Sequence, residues 1–150
     1  MEMNEESILA WNIIEKTSAN LFLTGKAGTG KTTFLKQLKE KSPKRMVVLA
    51  PTGIAAINAG GMTIHSFFQL PFSPYIPGTT FGSGEQKRYQ FSKLKRNIIR
   101  SIDLLVIDEI SMVRSDLLDA IDFVLRQYRQ PDRPFGGVQL LMIGDLQQLT

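Results

Sequence analysis

Apolar residues fall in two rhythms along this chain. At residues 5–16, Ile8, Trp11 and Ile14 stand three apart, the spacing of one helical face, with Glu5, Glu6, Glu15 and Lys16 mostly on the other. That pattern predicts an amphipathic helix with Trp11 packed into a core. Phe34, Leu35 and Leu38 predict a second helix with lysines on its outer face, which Pro43 stops. Residues 54–59 form a small-residue helical stretch closed by Gly60 and Gly61. From 87 to 100 a basic helix is predicted, with Phe91, Leu94 and Ile98 on one face and Lys93, Arg96 and Arg100 elsewhere as a solvated side. Ser115 then caps a helix in which Leu117, Leu118, Ile121, Val124, Leu125 and Tyr128 repeat as a core stripe.

The other rhythm is the short continuous apolar run. Residues 21–24 (LFLT), 45–50 (RMVVLA), 103–112 (DLLVIDEISM) and 138–143 (VQLLMI) each contain one, and runs without polar alternation suit strands covered on both faces. Strands alternating with helices imply right-handed crossovers and a parallel sheet whose strand ends share one edge, where ligands of such sheets bind. Residues 69–84 break both rhythms with prolines and glycines. The aromatic residues Phe72, Tyr75 and Phe81 among them predict a loop or small subdomain projecting from that edge.

Composition changes this picture little. With 150 residues and 43% apolar content the chain fits one α/β domain. The net charge of +4 suits a polyanionic partner without demanding one. Without cysteine there is no disulfide framework and no thiolate metal site. No apolar run is long enough to span a bilayer and no signal-peptide pattern is present, so an intracellular, soluble protein of the cytoplasm or nucleoid is expected.

Chemistry gathers at the strand ends. Residues 25–32, GKAGTGKT, follow one strand and open a helix, and glycines at 25, 28 and 30 allow backbone N–H groups to turn inward around an anion. In this pattern Lys31 reaches the β and γ phosphates of a nucleotide and the Thr32 hydroxyl ligates Mg²⁺, while the helix N-terminus adds partial positive charge. Ala27, Thr29 and Thr33 belong to the same cradle. At the end of the 103–112 run, Asp108 is placed to hold Mg²⁺ through water, and Glu109 to act as base for a water attacking the γ phosphate. Thr52 stands at another strand's end beside Gly53 and a helix start, which suits either a phosphate contact or a simple N-cap. His65, the chain's one histidine, sits in TIHSF beside Ser66, Phe67 and Phe68, where a structural role and a ligand role both stand open.

Taken in order, GKAGTGKT, APTGIAA (50–56), GMTIHSF (61–67), VIDEISM (106–112) and PFGGVQLLMIGDLQQL (134–149) resemble the first RecA-like lobe of a superfamily 1 DNA helicase of the Pif (petite integration frequency) type, related to RecD. The resemblance covers nearly the whole chain. It implies a P-loop NTPase fold, a three-layer αβα sandwich with a mostly parallel sheet, helices on both faces and a small wedge-like insertion around 70–90. It further implies Mg²⁺-ATP as cofactor, Lys31, Glu109 and Gln148 as catalytic residues with Gln148 sensing the γ phosphate, and Thr52, Gly53, His65, Ser66 and Phe67 along a groove for single-stranded DNA. Such helicases move 5′ to 3′, separate duplex and forked DNA, and serve repair, replication and telomere or genome maintenance. A monomer is expected.

Two departures from that pattern stand out. Members carry a glutamine upstream of the phosphate loop that reads adenine, yet this chain has no glutamine before Gln37 and offers Ser7 or Ile8 there. The chain also stops at Thr150, which implies a fragment lacking the second RecA-like lobe and its arginine finger. The rival reading is a nucleotide-dependent switch or ATPase that uses the same loop without DNA.

Overall fold

The computed structural model describes residues 5–24, 31–70 and 91–144. The phosphate-loop residues Gly25, Ala27, Gly28, Thr29 and Gly30, the insertion at 71–90, Gln148 and the side chain of Thr32 lie outside the described residues. The elements are α1 (Glu5–Lys16), β1 (Leu21–Thr24), α2 (Lys31–Lys41), β2 (Met46–Ala50), α3 (Gly53–Ala59), β3 (Met62–Thr63), α4 (Ile64–Phe68), α5 (Lys93–Ser101), β4 (Leu104–Ile107), α6 (Ser115–Tyr128) and β5 (Gln139–Gly144), with single 3₁₀ turns at Ile110–Met112 and Pro134–Gly137.

The five strands form one all-parallel sheet in the order β1-β5-β4-β2-β3. Within the continuous apolar runs, the strand's period of two divides side chains between two separate cores. Val47, Leu49, Leu105, Ile107, Leu140 and Met142 face α4, α5 and α6. Val48, Leu104, Val106, Leu141 and Ile143 face α1 and α2 on the other side. The expected three-layer α/β arrangement is therefore realised, with one strand more than the four expected. That strand, β3, has two residues and, among the described residues, pairs only with the end of β2, at Leu49↔Met62 and Ala50↔Thr63.

Local chemistry marks several of the helix ends. Thr52 caps α3, its Oγ1 accepting from Ala55 N at 3.2 Å, and Gly60 ends the helix in the left-handed conformation with φ 71°. Gly61 is required for close approach: a Cβ there would stand 2.1 Å from the carbonyl oxygen of Val48. Lys39 on α2 is not merely solvated, since its ammonium donates to the carbonyls of Ala59 and Gly60 at 3.3 and 2.7 Å and so ties α2 to the end of α3. Gln139, buried at the start of β5, is satisfied on both sides, donating to Ala19 O at 2.8 Å and accepting from Lys44 at 2.7 Å.

Three expectations are corrected. On α1 the departure is Ile8, which is exposed, while Ala10 and Ile14 are buried and Trp11 packs half-buried against the same core, edge-on to Phe34 at 6.3 Å. Ser115 is the first residue inside α6 and Arg114 is its cap position, with no side-chain capping bond. On α5 the inward side is Ile99, with Phe91 and Ile102 packed just outside the helix, whereas Leu94 is 71% exposed. Phe91 precedes the helix that Ser92 caps, so the helical period does not extend back to it.

Candidate functional site

The carboxyl end of β4 is built from an apolar strand and a sharp turn. Asp108 N donates to Leu49 O at 2.8 Å, holding that strand end against β2. Asp108 is half-buried and its Oδ1 accepts from the backbone N–H of Glu109 at 2.9 Å, which orients the carboxylate. Glu109 takes the left-handed conformation, φ 55°, a strained state for a residue with a side chain that only a well-packed surrounding retains. The 3₁₀ turn begins immediately after it, and Met112 N returns to Glu109 O at 3.0 Å. Gly144 at the end of β5 lets this turn cross the neighbouring strand, because a Cβ there would lie 2.7 Å from Ile110 Cγ2.

A cleft of about 970 Å³ opens at this edge, lined by Lys31, Thr52, Asp108, Glu109, Met112 and Ile143 among others. Its size is that of a small-ligand site. Lys31, at the first position of α2, comes from the far side of β5, so β1 and β4 deliver a cation and two carboxylates to one space. The donor set fits a nucleotide-bound Mg²⁺ and not a metal caged by protein alone. Among the described residues no group of three or more His, Asp or Glu side chains could hold an ion. Mg²⁺ sites of nucleotide enzymes need one or two protein ligands beside phosphates and water, and Thr32 with Asp108 would supply them.

The adjoining strand ends carry the second candidate surface. β2 leads into Thr52 and Gly53, and its partner β3 leads into α4 with His65, Ser66 and Phe67. Thr52 acts as the N-cap described above, and it also lines the cleft. Gly53 is exposed and a Cβ added there would meet nothing within 4 Å, so packing inside the described residues does not demand a glycine. Thr63 Oγ1 caps α4 by accepting from Ser66 N at 3.1 Å. Ser66 is exposed and His65 half-buried; burial, and then the nearby Arg114 guanidinium, push the imidazole below its ordinary value.

Phe67 departs from expectation. It is 4% exposed, edge-on to Phe68 at 4.9 Å, and the Lys95 ammonium lies 4.1 Å from its ring centroid while donating to Phe67 O at 3.0 Å. The ring has no free face on which a base could stack, so Phe67 is packing beneath the surface. Burial also pushes the Lys95 ammonium below its ordinary value. Sequence reasoning missed Lys95 and Lys39 because a lysine that bonds a carbonyl has the same helical spacing as one facing water. The glycine in GD at residues 144–145 was the available sign of the close crossing at Ile110.

The family model described as PIF1-like helicase matches residues 3–150. The ATP-dependent DNA helicase PIF1 of Saccharomyces cerevisiae is 37% identical over 99% of this chain and 17% of its own length. The corresponding helicase of Bdellovibrio bacteriovorus is 35% identical over 99% of this chain and 33% of its own. Among solved structures, a Bacteroides Pif1 bound to ssDNA superposes with TM-score 0.87 at 52% identity, covering 97% of this chain and 32% of that one. A Bacteroides Pif1 complex with ADP-AlF3 and ssDNA gives the same TM-score and identity over 97% of this chain and 33% of that one. AMPPCP-bound DnaA of Aquifex aeolicus, at 18% identity and TM-score 0.52, shares the fold. The chain thus spans a third or less of the length of these Pif1 relatives. With the family model matched from residue 3 to the last residue, the chain belongs to the PIF1-like helicase family.

Proposed function

We propose that this chain provides the nucleotide-binding motor lobe of an ATP-dependent DNA helicase, binding Mg²⁺-ATP in the cleft and single-stranded DNA along the adjoining strand ends. The carrying observation is the meeting of Lys31, Asp108 and Glu109 in one cleft that Thr52 also lines. Lys31 neutralises charge on the β and γ phosphates, joined by the N-terminus of α2. Thr32 and Asp108 hold Mg²⁺, which when bound draws charge from the phosphate oxygens. Glu109 orients a water and accepts its proton. The phosphate-loop residues Gly25, Ala27, Gly28, Thr29 and Gly30, with Thr33, complete the cradle, and Gln148 senses the γ phosphate.

Thr52, Gly53, His65 and Ser66 form the DNA edge, with Phe67 supporting it from below. Thr52 belongs to both surfaces, so a strand lying on this edge touches the rim of the nucleotide cleft. The Bacteroides relative bound to ssDNA and the one with ADP-AlF3 support both halves of this reading. The remaining length of the relatives supports a second lobe that completes the site and the DNA groove.

The test is a pair of binding titrations. Lys31→Ala is expected to weaken Mg²⁺-ATP binding by about 1.5–3 kcal/mol, the worth of a hydrogen bond to a charged group, with the fold unchanged. His65→Ala with Ser66→Ala is expected to weaken single-strand binding and leave ATP affinity alone. Equal ATP affinity in Lys31→Ala and the parent protein would overturn the nucleotide assignment, and unchanged single-strand affinity would overturn the DNA edge.

A further inference from the structure

The chain carries eighteen Lys and Arg against fourteen Asp and Glu. Four of the cations, Lys93, Lys95, Arg96 and Arg100, lie in the nine residues of α5, which has no carboxylate. The charge of α5 is therefore +4, equal in size to the net charge of the whole chain.

Helical geometry sorts these four. Lys95 turns inward to Phe67 and Ile99 is fully buried, while Lys93, Arg96 and Arg100, at i, i+3 and i+7, fall within about 60° of one another on the outer side. Lys93 and Arg100 are exposed and Arg96 is half-buried. Neither Lys93 nor Arg96 pairs with a carboxylate among the described residues, and the Arg100 Nε donates to the carbonyl of Tyr128 at 3.3 Å. The arrangement works against the helix itself. Like charges three and four residues apart repel, and Lys93 and Lys95 occupy the first turn, where the macrodipole favours acids. Of the four, Lys95 is tied to Phe67 and Arg100 to the carbonyl of Tyr128.

The stripe is also well placed. Lys95 joins the first turn of α5 to Phe67 of α4, so Lys93 and Arg96 stand within one turn of a residue that touches Phe67, the chain neighbour of Ser66. The chemistry of the face favours a backbone over exposed bases. Its cations are flanked by Asn97 and by the aliphatic Leu94 and Ile98, with no aromatic ring, whereas single-strand sites interleave rings that stack on bases. A duplex stacks its base faces inside and leaves only base edges in its grooves, so its outer surface is a phosphate backbone that cations can follow without stacking rings.

We propose that Lys93, Arg96 and Arg100 form a docking surface for the phosphate backbone of duplex DNA, separate from the single-strand edge. The proposal rests on the reading that this chain acts on DNA, and it assigns the duplex a site of its own. Each lysine or arginine that neutralises a phosphate contributes about 0.9 to the slope of log affinity against log salt.

The experiment titrates the protein with a short blunt duplex and with an oligothymidine strand of equal length over a range of salt. Lys93→Gln with Arg96→Gln keeps good helix formers at an exposed and a half-buried position and should leave thermal stability unchanged or slightly raised. This variant is expected to lose duplex affinity by about fivefold or more at low salt and to lower the duplex salt slope by about 1.8, with oligothymidine binding unchanged. Lys16→Gln with Lys41→Gln, which removes the same charge from exposed positions elsewhere, should leave duplex binding close to that of the parent.

Duplex affinity that survives Lys93→Gln with Arg96→Gln overturns the proposal. So does an equal loss in the Lys16 and Lys41 variant, or an equal loss on both DNAs. A parent protein that binds the single strand and no duplex overturns this inference while leaving the proposed function standing. One that binds neither overturns both.

Discussion

His65 shows how much a single side chain can report. As the chain's one histidine it gives an unobstructed NMR signal, and its environment makes a definite demand on that signal. Burial and the Arg114 guanidinium lower its pKa in the folded protein, so the native state binds fewer protons than the unfolded chain just below the unfolded value. The contribution of His65 to stability is therefore fully present above about pH 6.5 and is lost as the pH falls through the lower folded value. A DNA phosphate nearby would act in the opposite sense and favour the imidazolium. The imidazole Hε1 resonance is expected to titrate below the ordinary histidine range in the free protein and to move upward when single-stranded DNA is added. A midpoint unmoved by saturating DNA would remove His65 from the DNA edge. Nothing in the sequence marked this environment, since Arg114 is distant along the chain. Nor did it mark the left-handed backbone of Glu109, because the conformation belongs to the turn after β4 and not to the residue type.

Two glycines separate what an element needs for packing from what its surface leaves open. In Gly61→Ala the new methyl would meet the backbone of Val48, the middle of a strand paired on its other side with β4, so it cannot be relieved by a side-chain rotation. A loss of about 1–3 kcal/mol in denaturant unfolding is expected, together with weaker single-strand binding because β3 carries the α4 segment. Gly53→Ala, with open space around it, should leave stability unchanged or slightly raised and affect only ligand binding. Gly61→Ala unfolding at the parent's midpoint would show that β3 is not seated against β2 as described.

The same scale explains what was legible. Strands β1, β2, β4 and β5 announced themselves as continuous apolar runs, since burial on both faces leaves no polar positions to confuse the pattern. The two-residue β3 has no pattern of its own, being held by the register of β2. On α5 the period was read from Phe91, which is buried but lies before the cap, and that shift turned the apolar face toward Leu94. Lys31, Asp108 and Glu109 were legible because their motifs fix both residue type and strand end. Phe67 was misplaced because an aromatic in a short helix fits a base platform and a core equally well until its burial is known.

At the scale of the whole chain, holding phosphates and hydrolysing them make different demands. Lys31, the orienting turn at Asp108 and the N-terminus of α2 are all ground-state features, so a protein of these 150 residues is expected to bind Mg²⁺-ATP. Phosphoryl transfer spreads further negative charge over the γ oxygens, and among the described residues those lining the cleft include lysines but no arginine. An arginine supplied from a facing lobe is worth on the order of 10³ to 10⁵ in rate, roughly 4–7 kcal/mol of transition-state stabilisation. Glu109 cannot replace it, because a carboxylate positions water without adding positive charge. Movement along DNA asks for more again, since hinge closure around a ligand needs two bodies and the five strands here form one sheet. Residues 1–150 by themselves are therefore expected to bind Mg²⁺-ATP, to hydrolyse it slower by about that factor than a protein extended to the length of its relatives, and to separate no duplex. The measurement is single-turnover hydrolysis of labelled ATP with saturating single-stranded DNA, run at several protein concentrations. Fast turnover independent of protein concentration would place the complete catalytic apparatus within these residues, and turnover rising with concentration would show a second copy lending the missing charge.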